Sequence, residues 1–173
     1  MPEDAPTAAA RRVPGSHDLP ARLDLDDPAV ARAVLELQRA SYALEAALIG
    51  DDRIPQLTET LEELRSAGLE WLGVADGDGL AGAVSWRVLD DGTVDIHRLV
   101  VAPRALRRGV ATVLLDALDA VYPGRPVMVS TGTANEPALR LYQGRGFRIT
   151  GVRDVIPGLS ITELERRPGP PTA

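Results

Sequence analysis

Cysteine and lysine are both absent from this sequence of 173 residues. Without cysteine there is no disulfide framework, no thiolate nucleophile and no cysteine metal ligand. Without lysine, Schiff-base chemistry is excluded. The two histidines, His17 and His97, are far apart in the sequence. We therefore predict that the protein holds no metal.

Acidic residues outnumber basic ones, and the formal net charge is −6. A nucleic-acid or membrane-surface binder would need a broad basic face, so neither partner is expected. No apolar run approaches the roughly 20 residues that a membrane helix needs. Together with the lack of cysteine, these absences lead us to expect a cytoplasmic protein.

The residues that are present support one folded unit. Hydrophobic side chains make up 45% of the chain, which is enough for one sizeable core but hardly for two. Both ends are rich in proline, alanine and charge and lack periodicity. We predict a disordered N-terminal tail over residues 1–18, a single domain over 19–166 and a disordered C-terminal tail over 167–173.

Periodicity divides the domain into helices and strands. Asp27 and Pro28 open one long or broken helix, and the segment "IPQLTETLEELRSAG" predicts a second helix. Three strands follow, joined by turn signals at 76–79 and 90–92. A helix over "RRGVATVLLDALDAVYPG", a buried strand, a short helix and two closing strands complete the pattern. The fold class is therefore α/β, with helices on the faces of one mixed sheet.

Arginine is concentrated in "RALRRGVAT", residues 104–112, where a strand ends and a helix begins. Unpaired amides at a helix start bind phosphate oxygens, and Gly109 lets an anion approach closely. No acidic residue lies between Ile96 and Leu115, so the local field is positive. The segment is neither a P-loop nor a dinucleotide fingerprint. It predicts a phosphate cradle, with a solvated, arginine-rich helix start as the alternative.

Two segments together, "LVVAPRALRRGVATVLL" and "STGTANEPALRLYQGRGF", resemble the acetyl-CoA-binding core of the GNAT superfamily of N-acetyltransferases. The resemblance covers residues 20–165 approximately and is to bacterial members whose acceptor is unassigned. It implies the GNAT acyl-CoA N-acyltransferase fold, in which a mainly antiparallel meander continues into a strand-helix-strand-helix-strand half. It also implies transfer of an acetyl group from acetyl-CoA to a primary amine by direct attack in a ternary complex.

The same resemblance implies which residues contact acetyl-CoA. The pyrophosphate would meet the backbone of Arg107, Arg108, Gly109, Val110, Ala111 and Thr112, and the pantetheine would meet Leu99, Val100, Val101, Asn135 and Tyr142. The amide of Leu99 or Val101 would polarise the acetyl carbonyl. One departure from the family pattern is Leu106, which stands where a glutamine or arginine is common; the backbone contacts are unaffected by it.

The spacing of Asn135 and Tyr142 supports a shared cleft wall. They are seven residues apart, about two helical turns, and so lie on one helix face, with Asn135 also placed to cap the helix. A tyrosine hydroxyl can protonate a departing thiolate. We predict that Tyr142 is the general acid; ordinary core packing is the alternative.

A protonated amine must lose a proton before it attacks, so a base is needed. Strand alternation in "TVDIHRLVV" places Asp95 and His97 on one face. Histidine has a reference pKa of about 6.5 and can accept a proton near neutral pH. We predict that His97 is the base with Asp95 as its relay or electrostatic partner. A purely structural His97–Asp95 pair is the alternative.

The acceptor is defined least well by the sequence. Glu45, Asp51, Asp52 and Glu59 lie near the junction of the first two helices. Carboxylates there are often solvated or capping, but Glu45 and Glu59 sit among apolar residues and are predicted to bind a small-molecule or peptide amine. Trp86 would form either a pocket wall or core. Two further functions stay open, a non-catalytic CoA-binding sensor and a transferase for a longer acyl-CoA, and so does a homodimer.

Overall fold

The structure, a computed structural model, describes residues 17–169. The predicted tails at 1–18 and 167–173 fall largely outside these residues. At the start of the described part, the amide of Asp18 donates to the carbonyl of Ala75 at 2.7 Å. The described chain therefore contacts the sheet from its first residues onward.

Seven strands form one sheet in the order β1-β2-β3-β4-β5-β7-β6. All neighbours are antiparallel except β4 and β5, which are parallel. The predicted mixed α/β sheet is confirmed. In chain order the elements are β1 Ala21–Arg22, α1 Pro28–Ile49, α2 Leu61–Ser66, β2 Glu70–Asp76, β3 Gly79–Val88, β4 Val94–Val101, α3 Val110–Val121, β5 Val127–Gly132, α4 Glu136–Gly144, β6 Arg148–Ile156 and β7 Leu159–Arg166, with 3₁₀ turns at Pro55–Leu57 and Pro103–Ala105.

Helix α1 is a single long helix whose ends match its sequence signals. The side chain of Asp27 accepts a hydrogen bond from the amide of Ala29 at 2.8 Å, which caps the start. Gly50 ends the helix in the left-handed conformation, with φ 71°, which glycine adopts without a steric penalty. The buried side of α1, including Val34 and Leu37, packs on the sheet.

The second predicted helix is wrong in one respect, because the segment forms a 3₁₀ turn and then the short helix α2. Thr60 explains the break. Its hydroxyl accepts from the amide of Glu63 at 3.2 Å, and the Glu63 carboxylate accepts from the amide of Thr60 at 2.8 Å. This capping box requires an extended backbone at Thr60, which no helix can run through.

Helix α3 packs on strands β2, β3 and β4. At Gly82 an added Cβ would lie 2.5 Å from Cγ1 of Val110, so glycine permits this close approach. Trp86 is fully buried there, and its indole N–H donates to the hydroxyl of Tyr122 at 3.1 Å. Trp86 is therefore core, and its alternative reading as a pocket wall is wrong.

Two irregularities in β4 position the site. The parallel pairing with β5 covers only 94–96 against 127–129, after which the strands are no longer paired. On the other edge, Ser85 pairs with Arg98 but Trp86 pairs with Ile96, so His97 is the extra residue of a β-bulge. A bulge redirects side chains locally. The gap between β4 and β5 therefore begins at His97, and the bulge redirects the side chain of that residue.

Candidate active site

The gap between β4 and β5 opens into a cavity of about 410 Å³. Its walls come from α1, β4, β5, α4 and the β6–β7 hairpin. The ionisable side chains in its lining are Tyr42, Glu45, Arg53, His97, Arg98 and Tyr142, and Leu99 lines it as well. The fold thus brings together four residues predicted from the sequence, Glu45, His97, Leu99 and Tyr142.

Strand β4 directs the amide of Leu99 away from β3. The amide of Ala102 donates to Ala81 of β3 at 2.8 Å, and backbone groups point to alternate edges of a strand. The Leu99 and Val101 amides therefore face the gap left by β5. Val101 meets the hydroxyl of Ser41 at 3.4 Å, whereas no described residue hydrogen-bonds the Leu99 amide through that edge. Leu99 is left with a free donor in the cavity wall.

Val100 differs from its neighbours. It pairs with Ala83 in the sheet and is 1% exposed. Its amide and carbonyl face β3 by the same alternation. The expected backbone contact from Val100 to pantetheine does not fit this geometry, because those groups are used within the sheet.

The arginine-rich loop ends at a helix start with open donors. The first bond of α3 runs from the amide of Val113 to the carbonyl of Gly109 at 3.0 Å, which leaves the amides of Gly109 to Thr112 without helical partners. Gly109 has φ 75°, and an added Cβ there would meet nothing within 4 Å. Arg107 is left-handed too, with φ 61°, and both it and Arg108 are exposed. These features fit a pyrophosphate.

Arg104, at the start of the same loop, is committed elsewhere. One Nη donates to the carboxylate of Asp76, and the other donates to the carbonyl of Leu80 at 3.2 Å. The guanidinium lowers the pKa of Asp76 below its ordinary value. Arg104 therefore anchors the loop to the β2–β3 turn, and the cationic side chains left for an anion are Arg107 and Arg108.

Tyr142 lies on α4, which begins where predicted. The side chain of Asn135 caps the helix by accepting from the amide of Ala138 at 3.2 Å. The Tyr142 ring packs edge-on against Phe147 with centroids 5.4 Å apart. None of the described residues hydrogen-bonds its hydroxyl, although the residue is 4% exposed and lines the cavity. Burial, reinforced by Tyr42 and Glu45, raises the pKa of Tyr142, so the hydroxyl stays protonated.

His97 and Asp95 are in contact, as expected. The Nε2 atom of His97 lies 3.0 Å from Oδ2 of Asp95 and also accepts from Nε of Arg87 at 2.8 Å. One ring nitrogen cannot accept from arginine and donate to aspartate at the same time. The tautomer of His97 therefore depends on whether Nε2 bonds to Asp95 or to Arg87. The sequence does not predict the contact between Arg87 and His97.

Glu45 is half-buried beside the wall formed by β5 and α4. Its Oε1 lies 3.5 Å from where a Cβ of Gly132 would stand. Burial raises the pKa of Glu45, and a hydrogen bond from Asn135 offsets part of that rise. Among the described residues lining the cavity, Glu45 is the one carboxylate.

Glu59 is placed differently from Glu45. Its two oxygens accept from Nη1 and Nη2 of Arg98 at 2.7 and 2.8 Å, and Gln38 donates a further bond at 2.6 Å. Both side chains of the ion pair are largely buried, and Glu59 does not line the cavity. Sequence reasoning missed Arg98 and Gln38. The available signal was an arginine on the buried face of an apolar strand, which requires a partner.

The acidic pair after α1 does not enter the cavity either. Asp51 accepts from Nε of Arg53 at 2.9 Å, which lowers its pKa to about 2, and Asp52 is exposed. Arg53 also donates to the carbonyl of Pro157 in the β6–β7 turn at 3.1 Å. Arg53 thus joins the segment after α1 to the opposite lip of the cavity.

Neither a metal-ligand cluster nor a membrane-spanning helix occurs within residues 17–169. No group of three or more histidine, aspartate and glutamate side chains within 17–169 could hold a metal ion. None of the helices in that part of the chain has both the length and the apolar character of a membrane span.

A family model described as the acetyltransferase (GNAT) family matches residues 32–147. Among curated proteins, the UPF0157 protein YqkA of Bacillus subtilis (strain 168) is 31% identical over 120 residues, covering 69% of this chain and 35% of that protein. Human N-acetylaspartate synthetase is 31% identical over 102 residues, covering 56% and 33%. The chain thus spans about a third of the length of these relatives.

Solved structures share the fold at low identity. The ribosomal-protein-S18-alanine N-acetyltransferase of Escherichia coli has a TM-score of 0.70 and 14% identity, over 91% of this chain and 97% of that one. The PaiA N-acetyltransferase of Thermoplasma acidophilum, solved with coenzyme A, has a TM-score of 0.67 and 16% identity, over 88% and 99%. An aminoglycoside 6'-acetyltransferase type Ii has a TM-score of 0.67 and 18% identity, over 88% and 100%.

Proposed function

The chain belongs to the acetyltransferase (GNAT) family, and from that premise we propose that it transfers the acetyl group of acetyl-CoA to a primary amine by direct attack in a ternary complex. Family and fold support acyl transfer from an acyl-CoA. The observation that carries the finer proposal is the β4–β5 gap, where the Leu99 amide, the Tyr142 hydroxyl and two candidate bases line one cavity.

Acetyl-CoA would be held at two places. The amides of Gly109 to Thr112, which have no helical partners, and the exposed Arg107 and Arg108 offer donors and charge for its pyrophosphate. The β4 edge at Leu99 offers backbone groups to its pantetheine arm. When bound, this co-substrate supplies an activated acetyl group. The remaining chemistry belongs to the side chains and amides of the cavity.

The Leu99 amide performs the electrostatic part. A fixed donor aimed at a carbonyl oxygen stabilises the negative charge that develops there during attack, and it needs no reorganisation. The bulge at His97 and the loss of β5 pairing leave this donor free. Leu99 therefore acts through its backbone, and its side-chain identity matters less than its position.

Tyr142 serves the leaving group. Its hydroxyl donates a proton to the sulfur as the C–S bond breaks and the C–N bond forms, and water then restores the tyrosine proton. Because burial raises its pKa, the group is in its donor form before the reaction. Its free hydroxyl in the cavity wall is the geometric reason to assign the role to Tyr142.

Two groups in the cavity can take the proton that the amine must lose. His97 can do so when its Nε2 proton is directed at Asp95 and its Nδ1 lone pair is free. Glu45 can do so as a half-buried carboxylate. We assign the base to His97 and its orientation to Asp95, because that pair lies on the strand that also carries Leu99.

The names of the similar proteins define a panel of acceptors. They mention a ribosomal-protein alanine, an aminoglycoside and N-acetylaspartate. Measurement of thiol release from acetyl-CoA against a peptide N-terminus, an aminoglycoside, aspartate and simple alkylamines tests the proposal. Release that requires one of these amines, with its N-acetyl product in the mass spectrum, is expected. Tight CoA binding without release on any amine would instead indicate a sensor. A cytoplasmic location and preference for acetyl over longer acyl groups stay predictions.

A further inference from the structure

The charges and apolar surfaces of the cavity carry information about the acceptor. Besides its two tyrosines, the lining contains four ionisable side chains, Glu45, Arg53, His97 and Arg98. Both arginines are already neutralised by acids outside the lining, Arg53 by Asp51 and Arg98 by Glu59. They therefore have little left to offer an anionic acceptor.

Glu45 is in the opposite situation. No described residue supplies a cation to its carboxylate, and the Asn135 side chain, which lowers the pKa of Glu45, is neutral. A half-buried carboxylate without a positive partner is unfavourable unless a cation meets it. The cavity therefore has one site for a single positive charge.

Most of the rest of the lining is apolar, apart from Gln56, Ser130 and Thr131. It includes Ile49, Ile54, Val129, Ile156, Leu159 and Ile161. At the mouth, Val155 and Ile156 remain 45% and 38% exposed on β6. Exposed apolar side chains grouped at the rim of a cavity mark a binding surface for an apolar ligand. Arg53, bonded to Pro157, holds this lip against the segment after α1.

We infer that the acceptor is a monocationic primary amine on an apolar carbon skeleton, with Glu45 as the anchor of its ammonium group. This rests on the proposed acetyl transfer. Diamines, amino acids and aminoglycosides are disfavoured, because the apolar end of the cavity has no partner for a second charge or for several hydroxyl groups. Since the proposed pantetheine arm would share the same 410 Å³ cavity, the skeleton must be small.

Four probes with one six-carbon skeleton test this inference: hexylamine, 1,6-diaminohexane, 6-aminohexanoate and hexan-1-ol. For acetylation, we expect kcat/KM for hexylamine to exceed that for the diamine and the amino acid by at least tenfold, since each buries an extra charge. From butylamine to hexylamine, kcat/KM should rise by about fourfold per methylene. Hexan-1-ol lacks the cation. Its inhibition constant against hexylamine acetylation should therefore be at least tenfold higher than the dissociation constants of the amine analogues.

Two variants connect these preferences to the residues. Glu45→Gln should raise the KM of hexylamine at least tenfold, while Glu36→Gln, exposed on the same helix, should not change it. Ile156→Ser should reduce the gain per methylene, whereas Val152→Ser, exposed on β6 outside the lining, should leave it intact.

The inference is overturned if the diamine, the amino acid or an aminoglycoside is preferred, or if Glu45→Gln leaves the hexylamine KM unchanged. Failure of the proposed function looks different, because then none of these amines nor any amine of the wider panel releases thiol.

Discussion

The Nε2 atom of His97 lies 3.0 Å from Oδ2 of Asp95, and this contact decides whether the histidine can act as a base. When Nε2 donates to Asp95, the Nδ1 lone pair is free for the proton of an amine. When Nε2 instead accepts from Arg87, the neutral ring carries its proton on Nδ1 and has no lone pair to offer. Asp95 and Arg87 therefore have opposite effects on the same ring.

A set of variants at these positions tests the role. His97→Ala should lower kcat at least tenfold, equivalent to about 1.4 kcal/mol of barrier. Asp95→Asn should also lower kcat, whereas Arg87→Met should keep or raise it, because it removes the competing donor. Steady-state rates on a true acceptor measure all three. If His97→Ala and Asp95→Asn both retain nearly full kcat, the pair is structural and Glu45 becomes the base.

Tyr142→Phe separates chemistry from packing. The ring contact with Phe147 stays, and only the hydroxyl, which has no partner among the described residues, is lost. The expected result is a kcat lower by about 10²-fold with unchanged affinity for acetyl-CoA and unchanged melting temperature. A variant that turns over at the wild-type rate would remove Tyr142 from the mechanism.

Gly109 offers a matched pair for the phosphate cradle. Gly109→Glu and Gly109→Gln share the strain of a side chain at φ 75° and differ only in charge. Acetyl-CoA should raise the melting temperature of the wild type by linkage. The Gln variant should keep part of this shift and the Glu variant none, because a carboxylate at the start of α3 repels the pyrophosphate. Equal shifts in the two variants would speak against a phosphate site here.

Glu59 is expected to act on stability. Glu59→Ala leaves the buried guanidinium of Arg98 without its counter-charge, which in comparable cases destabilises by about 3 to 5 kcal/mol. Urea unfolding measures the loss, and Glu62→Ala, exposed on α2, is the control. If Glu59 binds the acceptor, as the sequence predicts, its removal will instead raise the KM of the amine with little change in stability.

Unlike Glu59, which is expected to stabilise the fold, Glu45 should lower the stability of the fold when it is ionised. Because burial raises its folded-state pKa, the folded protein binds this proton more tightly than the unfolded chain does. Ionisation therefore opposes folding, with no effect below about pH 4 and an increasing one as the pH rises through the folded-state pKa. The melting temperature of Glu45→Gln should exceed that of the wild type by more at about pH 8 than at about pH 5. A difference independent of pH would contradict this.

The sequence predicts the local elements of this fold better than their assembly. Capping residues and apolar periodicity define α1 and α3, and the turn signals at 76–79 and 90–92 define the meander. The break before α2 was missed although the Thr60–Glu63 capping box is visible in the sequence. Here a longer helical pattern obscured a strong local start signal.

The candidate site depends on features that no local pattern contains. The bulge at His97 and the short pairing of β4 with β5 arise from packing between strands. Likewise, Glu45 and Glu59 look equivalent in the sequence, but only the fold brings Arg98, 39 residues away, to Glu59. The residue types of the site were predictable, whereas their free or paired state was not.

Direct attack within a ternary complex is tested by initial rates measured over a grid of acetyl-CoA and hexylamine concentrations. We expect double-reciprocal lines that intersect, an N-acetylhexylamine product, and an intact-mass spectrum in which the protein stays unacetylated. Parallel lines together with an acetylated protein would contradict it, since they would show that the acetyl group passes through the enzyme before reaching the amine.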